Sequence, residues 1–499
     1  MTRVSCVSID LINADKPPAA LAFMAAACER AQVEYECISL NTSFLSRFDS
    51  ATMSQIYNHV IKLGRTESVV EILDPALDQV IDAIKAHEST VILISIFSYM
   101  QHDLAEYFLN RVRRQLVGIT IVAGGPGVGV GRHNMRSEHS TFGQSLLDQG
   151  LVDFYCLGEG DQVLPRFLQG QQDSAGMNHA QSARETWVPQ IDDLDQHYLI
   201  PSYKKVQVDC YHNLENKNSA VYSLSTSRGC VRHCAFCDIG KTWKKFRFRS
   251  GEHIAQEILQ HHNDVGAVHF HFVDSLINGS LKSFRDLNTR LVDFRARYPS
   301  LRDLSYNGMF IVRDRHSHPQ ELFASMAAAG CESLAIGVET GSDRLRWEMN
   351  KKFTNQDLDW HLEMCSRYGI KNVFLMFVAY PTETRQDFEQ TLAMLDRYQK
   401  YLVDDTILGI NCAGVFSLLE STPVFDNRDA LGITIEHDLT NNKLQWHNAN
   451  NPDLTRRERI MRDLEFRQHA LRLRYPIPYA RRYMQYLAEI DSDFVLQSD

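Results

Sequence analysis

Residues 226–240 read TSRGCVRHCAFCDIG, and this stretch decides how the rest of the chain is interpreted. Cys230, Cys234 and Cys237 are separated by three and then two residues, and they directly follow a predicted strand. Thiolates are the preferred ligands of iron–sulfur clusters. Three thiolates on one loop can bind three irons of a [4Fe-4S] cluster and leave the fourth iron open. Zinc, with His233 nearby, is the less favoured alternative, because zinc sites more often show two paired-Cys knuckles or a Cys/His set.

A regular alternation of strand-like and helix-like segments surrounds this motif. Its spacing suits a βα barrel, because a βαβ unit needs roughly 30 residues or more. Six units are too few to close an eight-stranded barrel. We therefore predict a partial (β/α)6 barrel over residues 206–430 and a helical C-terminal region over residues 431–499. The candidate strands are Ala220–Thr226, Ala267–Val273, Asp303–Ile311, Ser333–Glu339, Asn372–Ala379 and Ile407–Phe416.

The first third of the chain shows the same α/β alternation. Gly124 and Gly125 follow one apolar run, and Gly158 follows another. Strands that alternate with helices predict a parallel, Rossmann-like sheet, whose ligands bind beyond the carboxyl ends of the strands. Glycines at those ends let the backbone come close to a bulky group. We predict this α/β domain over residues 1–170 and a polar linker over residues 171–205.

The cysteine motif resembles that of the radical S-adenosylmethionine superfamily. The superfamily signature is Cys-x3-Cys-x-aromatic-Cys, and Phe236 occupies the aromatic place. Three further segments resemble family motifs on later barrel strands. They are HFHFVDSLINGS (269–280), LAIGVETGSDRLRWEMNKKFT (334–354) and MFVAYPTETRQDFEQTL (376–392). Four motifs in the right order are more specific than any one of them, and they extend through the whole second α/β block.

This resemblance implies a [4Fe-4S] cluster on the three cysteines, with S-adenosylmethionine chelated to the open iron and cleaved to a 5′-deoxyadenosyl radical. The cofactor supplies the difficult chemistry, and the protein positions it and excludes water. The resemblance also makes Phe236, Asp274 and Glu339 candidate cofactor-binding residues, with the two carboxylates near the amino or ribose groups of S-adenosylmethionine. The alternative for both carboxylates is the capping of a turn or helix at a strand end. The sequence singles out no catalytic acid or base.

The first domain resembles the cobalamin-binding domain that precedes many radical S-adenosylmethionine enzymes. The segments match in order and type, with a strand that ends in GGPG followed by DFYCLGEGD. The resemblance implies cobalamin as a further cofactor, with Ser95, Ser98, Gly124, Gly125 and Gly158 as candidate cofactor-binding residues. DLINADKPP, after the first strand, lacks the histidine of the Asp-x-His-x-x-Gly pattern that binds cobalt. A vestigial domain without cobalamin is the alternative.

Composition narrows the classes of function. A net charge of −10 and a pI of about 6.1 disfavour a large nucleic-acid interface. No uncharged stretch reaches the roughly 20 apolar residues of a membrane span, and the N-terminus shows no secretion signal. A cytoplasmic location is therefore expected. Most of the 11 cysteines are scattered, which fits buried thiols better than a disulfide framework.

The resemblance therefore implies a cobalamin-dependent radical enzyme that methylates an unactivated centre of a small molecule or peptide. A one-electron donor such as flavodoxin or ferredoxin is the expected partner. Two enzymatic alternatives stay open: oxidative cyclisation or rearrangement without net methylation, and a radical enzyme whose first domain holds no cobalamin. A regulator that senses iron–sulfur or cobalamin chemistry would need a nucleic-acid module, and the sequence shows none.

Overall fold

The computed structural model describes residues 2–10, 16–45, 70–131, 141–171, 175–211, 219–420, 422–438 and 443–477. Contacts divide the chain into two compact units. The first comprises Met1–Ser223 and Gln256–Phe270, and the second comprises Leu224–Ala255 and His271–Asp499. The segment predicted as a linker, 171–205, falls within the first unit, whereas the predicted limits of the domains stay predictions.

A six-stranded sheet forms the centre of the first unit. Its order is β2-β1-β3-β4-β5-β6. Strands β1 to β5 pair in parallel, and β6 is antiparallel to β5. Apolar runs such as VILIS in β3 are typical of parallel strands that are covered on both faces. The strands are β1 (Arg3–Ser8), β2 (Glu34–Ser39), β3 (Val91–Ser95), β4 (Thr120–Gly124), β5 (Phe154–Cys156) and β6 (Met177–His179).

Amphipathic helices cover this sheet. Leu73, Leu77, Val80, Ile81 and Ile84 form one buried stripe of the third helix, at the spacing expected for one face of a helix. They pack into one hydrophobic core with the apolar side chains of β3 and β4. The helices are α1 (Ala19–Ala31), α2 (Leu40–Leu45), α3 (Val70–Ala86), α4 (His102–Gln115), α5 (Phe142–Asp148), α6 (Gly160–Leu168) and α7 (Leu194–His197).

A second six-stranded sheet accompanies the cysteine motif. Its order is β14-β13-β12-β11-β10-β7, and β11 to β14 pair in parallel, as predicted for a partial barrel. A separate two-stranded ladder, β8 with β9, flanks the cysteine loop. The strands are β7 (Val221–Leu224), β8 (Ser227–Arg228), β9 (Arg247–Phe248), β10 (His269–Phe272), β11 (Ser305–Phe310), β12 (Cys331–Glu339), β13 (Lys371–Val378) and β14 (Ile407–Val415).

Helices follow the strands of this sheet as the periodicity predicts. Three of them begin with side-chain caps that sequence patterns identify well, at Ser280, Thr354 and Thr384. The helices are α8 (Ile239–Thr242), α9 (Gly251–Val265), α10 (Leu281–Arg297), α11 (Gln320–Ala328), α12 (Asp343–Glu348), α13 (Asn355–Tyr368), α14 (Arg385–Tyr398) and α15 (Pro423–Asp426).

The two faces of the barrel strands differ in character because successive side chains point to opposite faces of a strand. One face packs on the helices: the Tyr306 hydroxyl donates to Asn288 of α10, and the Phe374 ring contacts Tyr398 of α14. The opposite face is the lumen of the partial barrel. In β12 this face carries small or charged residues, among them Ala335 and Gly337, which alternate with fully buried apolar residues.

The C-terminal region combines a hairpin with a helix. A hairpin of β15 (Ile433–Asp438) and β16 (Lys443–Asn448) precedes α16 (Arg456–Arg472). The prediction of helix alone for residues 431–499 is therefore wrong. Ile433 and Ile435 in one strand, and Leu444 and Trp446 in the other, alternate with polar residues, which is a period-2 signal of strands. Arg462 of α16 forms a buried ion pair with Glu383 at 2.9 Å, which ties the helix to the end of β13. The predicted helix beyond residue 477 lies outside the described residues.

Candidate functional site

The three cysteines lie on one loop that begins after β8. Its backbone is anchored at Ala235, whose N–H donates to the carbonyl of Met349 at 3.0 Å and whose carbonyl accepts from the N–H of Val424 at 2.8 Å. The side-chain amide of Asn350 donates to the carbonyl of His233 at 2.8 Å. Because these bonds hold the loop from two sides, they give the thiols between them defined positions.

All three thiols are free and half-buried. Burial raises the pKa of Cys230, Cys234 and Cys237, and the charge of Lys351 opposes it at each of them. Among the described residues, no three His, Cys, Asp or Glu side chains converge as the ligands of a single metal ion do. Zinc would draw its thiolates to about 2.3 Å from one centre, whereas a cubane binds each thiolate on a different iron. The thiols therefore fit an iron–sulfur cluster better than zinc.

Phe236 occupies the aromatic place of the motif and packs inside the site. Its ring makes an edge contact with Phe377 of β13, with centroids 5.1 Å apart. The ammonium of Lys351 lies 5.6 Å from the centroid of the same ring, within the range of a cation–π contact. Phe236 thus sits between the cysteine loop, the barrel lumen and a buried cation.

Glu339, the last residue of β12, is paired with that cation. Its Oε1 lies 2.8 Å from Nζ of Lys351, and the two side chains are only 10% and 11% exposed. The backbone of Glu339 has a φ of +62°, a conformation that costs about 1–3 kcal/mol and persists where the surroundings enforce it. Whether Glu339 contacts S-adenosylmethionine stays a prediction, because the structure shows its carboxylate bound to Lys351.

Asp274 is fully engaged with the start of the cysteine loop. Its carboxylate accepts hydrogen bonds from the backbone N–H groups of Thr226 and Ser227, at 2.7–2.9 Å, and from the Thr226 hydroxyl at 2.8 Å. Burial raises the pKa of Asp274 to about 6, although these hydrogen bonds lower it. These contacts favour the alternative role, a strand-end carboxylate that positions a turn. Direct contact with S-adenosylmethionine stays a prediction.

A polar pair faces the barrel lumen below this site. His271 Nδ1 and Asn307 Oδ1 are hydrogen-bonded across β10 and β11. Both side chains are partly exposed, whereas their neighbours Phe270 and Phe272 are buried. An amide oxygen only accepts, so Nδ1 of His271 is the donor in this bond.

The serines predicted in the first unit lie at the carboxyl end of β3. Ser95 is the last residue of that strand. The hydroxyl of Ser98 accepts from the N–H of Met100 at 3.3 Å and caps the short turn Tyr99–Gln101. Both residues therefore lie on the side of the sheet formed by the carboxyl ends of its strands, where ligands of such folds bind. Contact of either serine with cobalamin stays a prediction.

The predicted glycines differ in how closely the chain itself surrounds them. At Gly125, where φ is +95°, an added Cβ would lie 2.6 Å from the carbonyl oxygen of Ile96. At Gly124 the nearest atom to such a Cβ is 4.0 Å away. Gly158 has a φ of +102° and packs against Val188. Close approach of the chain to itself thus accounts for Gly125 and Gly158, while Gly124 leaves room for another group.

His102, the described imidazole that follows β3, belongs to the core of the first unit. Its ring stacks on Phe142 with centroids 3.6 Å apart, and Nε2 lies 2.9 Å from the carbonyl oxygen of Gly127. The side chain is completely buried. In this conformation His102 does not present a nitrogen to a cobalt ion. His133 lies outside the described residues.

Comparison with known families identifies the second block of the chain. Residues 224–395 match the family model described as the radical SAM superfamily. The matched range contains the cysteine motif and the three later strand motifs that the sequence analysis identified. Residues 224–395 of this enzyme are a radical SAM domain.

One curated relative of the enzyme is an uncharacterized methyltransferase of Pyrococcus horikoshii. The two are 22% identical over 355 residues, which cover 67% of this chain and 71% of the relative. The enzyme spans 29% and 54% of the length of the next two curated relatives. Such partial coverage leaves the activity, substrates and partners of the whole protein to be proposed rather than inferred from kinship.

Two solved structures resemble the whole enzyme. The methyltransferase TsrM from Kitasatospora setae, with cobalamin and a [4Fe-4S] cluster bound, gives a TM-score of 0.62 at 16% identity and covers 88% of this chain and 81% of its own. The cobalamin-dependent radical enzyme OxsB, with aqua-cobalamin bound, gives 0.63 at 14% identity and covers 99% and 71%. These matches confirm the predicted fold class, a Rossmann-like domain followed by a partial barrel and helical parts.

Sequence reasoning did not single out Lys351, His271 or Asn307 of this enzyme. Lys351 stands inside a quoted motif, but nothing in its spacing indicates that it reaches back to Glu339. His271 and Asn307 alternate with buried aromatic residues, and that period-2 pattern is the signal that could have placed them in the lumen. Within the described part of the chain, no helix is both long and apolar enough to cross a bilayer.

Proposed function

We propose that this enzyme is a cobalamin-dependent radical S-adenosylmethionine methyltransferase that acts on a small molecule or peptide. Cys230, Cys234 and Cys237 would hold a [4Fe-4S] cluster. The observation that carries the proposal is the anchored loop of three half-buried thiols beside a buried cation, at the carboxyl ends of barrel strands. Such strand ends are where barrel enzymes bind their ligands.

The chain's own residues would bind and orient the reactants. Asp274 holds the first turn of the loop. Phe236 and Phe377 form an apolar wall beside the thiols, which excludes water from the site. The bound cluster supplies the electron that cleaves S-adenosylmethionine to a radical, and cobalamin supplies the methyl group. His271 and Asn307 would face a substrate that enters the lumen.

Cobalamin is proposed for the first unit, with the domain limits 1–170, 171–205, 206–430 and 431–499 kept as part of the proposal. Support comes from the sheet order and from the likeness in fold to two cobalamin-bound structures. Ser95 and Gly124 are the last residues of β3 and β4, and Ser98, Gly125 and Gly158 lie on turns that follow strands of this sheet. Gly124 has space beside it. A flavodoxin- or ferredoxin-type donor and a cytoplasmic location complete the proposal.

Oxidative cyclisation or rearrangement is the second candidate. OxsB, which has the same fold, is described as a radical enzyme and not as a methyltransferase. Anaerobic turnover distinguishes the two reactions once a substrate is in hand. Transfer of an isotopically labelled methyl group from S-adenosylmethionine to product supports methylation. A product that lacks the label, and that either has lost two hydrogens or is an isomer of the substrate, supports the second candidate.

Reconstitution under anaerobic conditions tests the proposal without a substrate. The wild-type chain should bind about four irons and four sulfides, as a cubane requires. Cys230→Ala, Cys234→Ala and Cys237→Ala should each lose them, whereas Cys210→Ala, a half-buried thiol outside the motif, should not. With a strong reductant and S-adenosylmethionine, the wild type should release 5′-deoxyadenosine slowly. Stoichiometric zinc without iron would contradict the proposal.

A further inference from the structure

We propose that Lys351 is a positioning residue that raises the reduction potential of the cluster on the three cysteines, and that Glu339 sets where its ammonium lies. The inference rests on the proposed function, since it concerns a cluster bound at that motif. It adds an electrostatic role for a residue that the cysteine signature does not contain.

The ammonium of Lys351 has a defined position inside the site. Nζ lies 2.8 Å from Oε1 of Glu339, and the side chain is 11% exposed. It also lies 5.6 Å from the centre of the Phe236 ring. In the sequence, Phe236 stands between the second and third cysteines of the motif. Burial alone would favour a neutral amine, but the carboxylate of Glu339 at 2.8 Å favours the charged form.

Two features of the backbone make room for this ion pair. At Gly337 an added Cβ would lie 2.5 Å from both Nζ of Lys351 and Oε1 of Glu339. The residues on either side of Lys351 also adopt left-handed conformations, with φ of +61° at Asn350 and +55° at Lys352. Such conformations persist where surrounding contacts enforce them. The backbone is therefore strained on both sides of Lys351. An ion pair on the surface would not require such strain.

The charge of Lys351 lies against the motif itself, because Nζ is 5.6 Å from the centre of the Phe236 ring. Phe236 stands between Cys234 and Cys237 in the sequence. We therefore expect the ammonium to be the nearer of the two charges of the pair to the cluster. Its effect is larger than that of a surface pair because charges in a half-buried site are screened less.

A positive charge at this place favours the reduced state. One-electron reduction by an external donor adds a negative charge to a cluster that already carries three thiolates. Local net charge and solvent exposure are among the factors that set the potentials of such clusters. Lys351 would thereby make it easier for a donor to deliver the electron that the proposed reaction needs.

A redox titration of the reconstituted chain, without S-adenosylmethionine, tests the inference. The variants are Lys351→Met, Glu339→Gln and, as a matched control, Lys352→Met, which removes an exposed charge from the next position. Lys351→Met should lower the ratio of reduced to oxidised cluster at a fixed solution potential at least tenfold, which is 59 mV for a one-electron couple. Glu339→Gln should shift the midpoint in the opposite direction, and Lys352→Met should leave it unchanged.

The outcomes separate this inference from the proposed function. If the wild type binds no cluster, the proposed function fails and metal analysis shows it. If Lys351→Met loses the cluster altogether, Glu339→Gln and Lys351→Arg carry the test, with a raised potential expected for the first and a near-native one for the second. Midpoints that are unchanged or shifted in the reverse directions, at full iron content, would overturn the role of Lys351.

Discussion

Both carboxylate oxygens of Asp274 accept a hydrogen bond from the backbone N–H of Thr226, and they lie 2.9 and 2.8 Å from its nitrogen. The Thr226 hydroxyl donates to one of them as well, at 2.8 Å. Asp274 follows β10, and Thr226 stands just before β8 and the cysteine loop. A strand-end carboxylate thus fixes the direction in which the loop leaves the barrel.

Replacing Asp274 with Asn should therefore loosen the loop. The amide nitrogen would face backbone N–H groups that need an acceptor, so one or two hydrogen bonds to a charged group are lost, at about 1.5–3 kcal/mol each. Thermal unfolding should show a lower Tm, and iron retention after gel filtration should fall. Asp293→Asn, on the surface of α10, is the control. Native Tm and iron content for Asp274→Asn would contradict this role.

Two adjacent glycines of the first unit should respond differently to substitution. Gly125→Ala adds a Cβ 2.6 Å from the Ile96 carbonyl oxygen at a φ of +95°, which should cost about 2 kcal/mol or more. Gly124→Ala meets no atom closer than 4.0 Å and should leave stability nearly unchanged. Urea unfolding measures both. If Gly124→Ala keeps native stability but loses cobalamin, Gly124 borders the cofactor. Equal destabilisation by the two substitutions would contradict the difference in packing between Gly124 and Gly125.

Acid stability should depend on Asp387. Burial raises the pKa of Asp387, but hydrogen bonds from Arg344, Ser342 and Thr384 outweigh it and lower the pKa from 3.8 to about 2. Between these values the unfolded chain binds more protons than the folded one, so the contribution of Asp387 is complete above pH 3.8 and is lost as the pH falls toward 2.

The measurement is the free energy of unfolding between pH 5 and pH 2, with wild type and Asp387→Asn compared. The variant should be less stable at pH 5, and the difference from wild type should shrink as the pH falls. Asp357→Asn is the matched control, because Asp357 forms the equivalent capping box with Thr354 at the start of α13. A difference that stays constant with pH would show that the Asp387 carboxylate does not titrate in this window.

Cobalt ligation provides a prediction for the proposed cobalamin. The first-strand segment lacks the usual histidine, and His102 is buried against Phe142. The lower face of bound cobalt should therefore be open, or hold only water or a weak side-chain ligand, and axial ligation tunes a metal's redox behaviour. The EPR spectrum of the bound Co(II) form should show no nitrogen superhyperfine splitting. Such splitting would contradict this prediction, and a chain that retains no cobalamin would contradict the proposal for the first unit.

Local patterns in the sequence determined most of the architecture. Strand β7 and strands β10 to β14 begin and end close to the predicted limits, because apolar runs and glycine-rich turns are local signals. The cysteine motif is likewise local, since its ligands lie within eight residues of one another. Strand β6 was missed because it is short and is held by a side chain: the Asn178 amide donates to the carbonyl of Thr186 at 2.9 Å.

Contacts between distant parts of the chain decided the rest. The sequence alone identified Asp274 and Glu339 as acidic residues at strand ends, where they could bind a cofactor or cap a turn. Only the tertiary structure shows that Asp274 binds the backbone 48 residues away and that Glu339 binds Lys351. Partners of this kind depend on which strands become neighbours and which side chains point into the lumen. No periodicity within a single segment carries that information, because it arises when the segments pack.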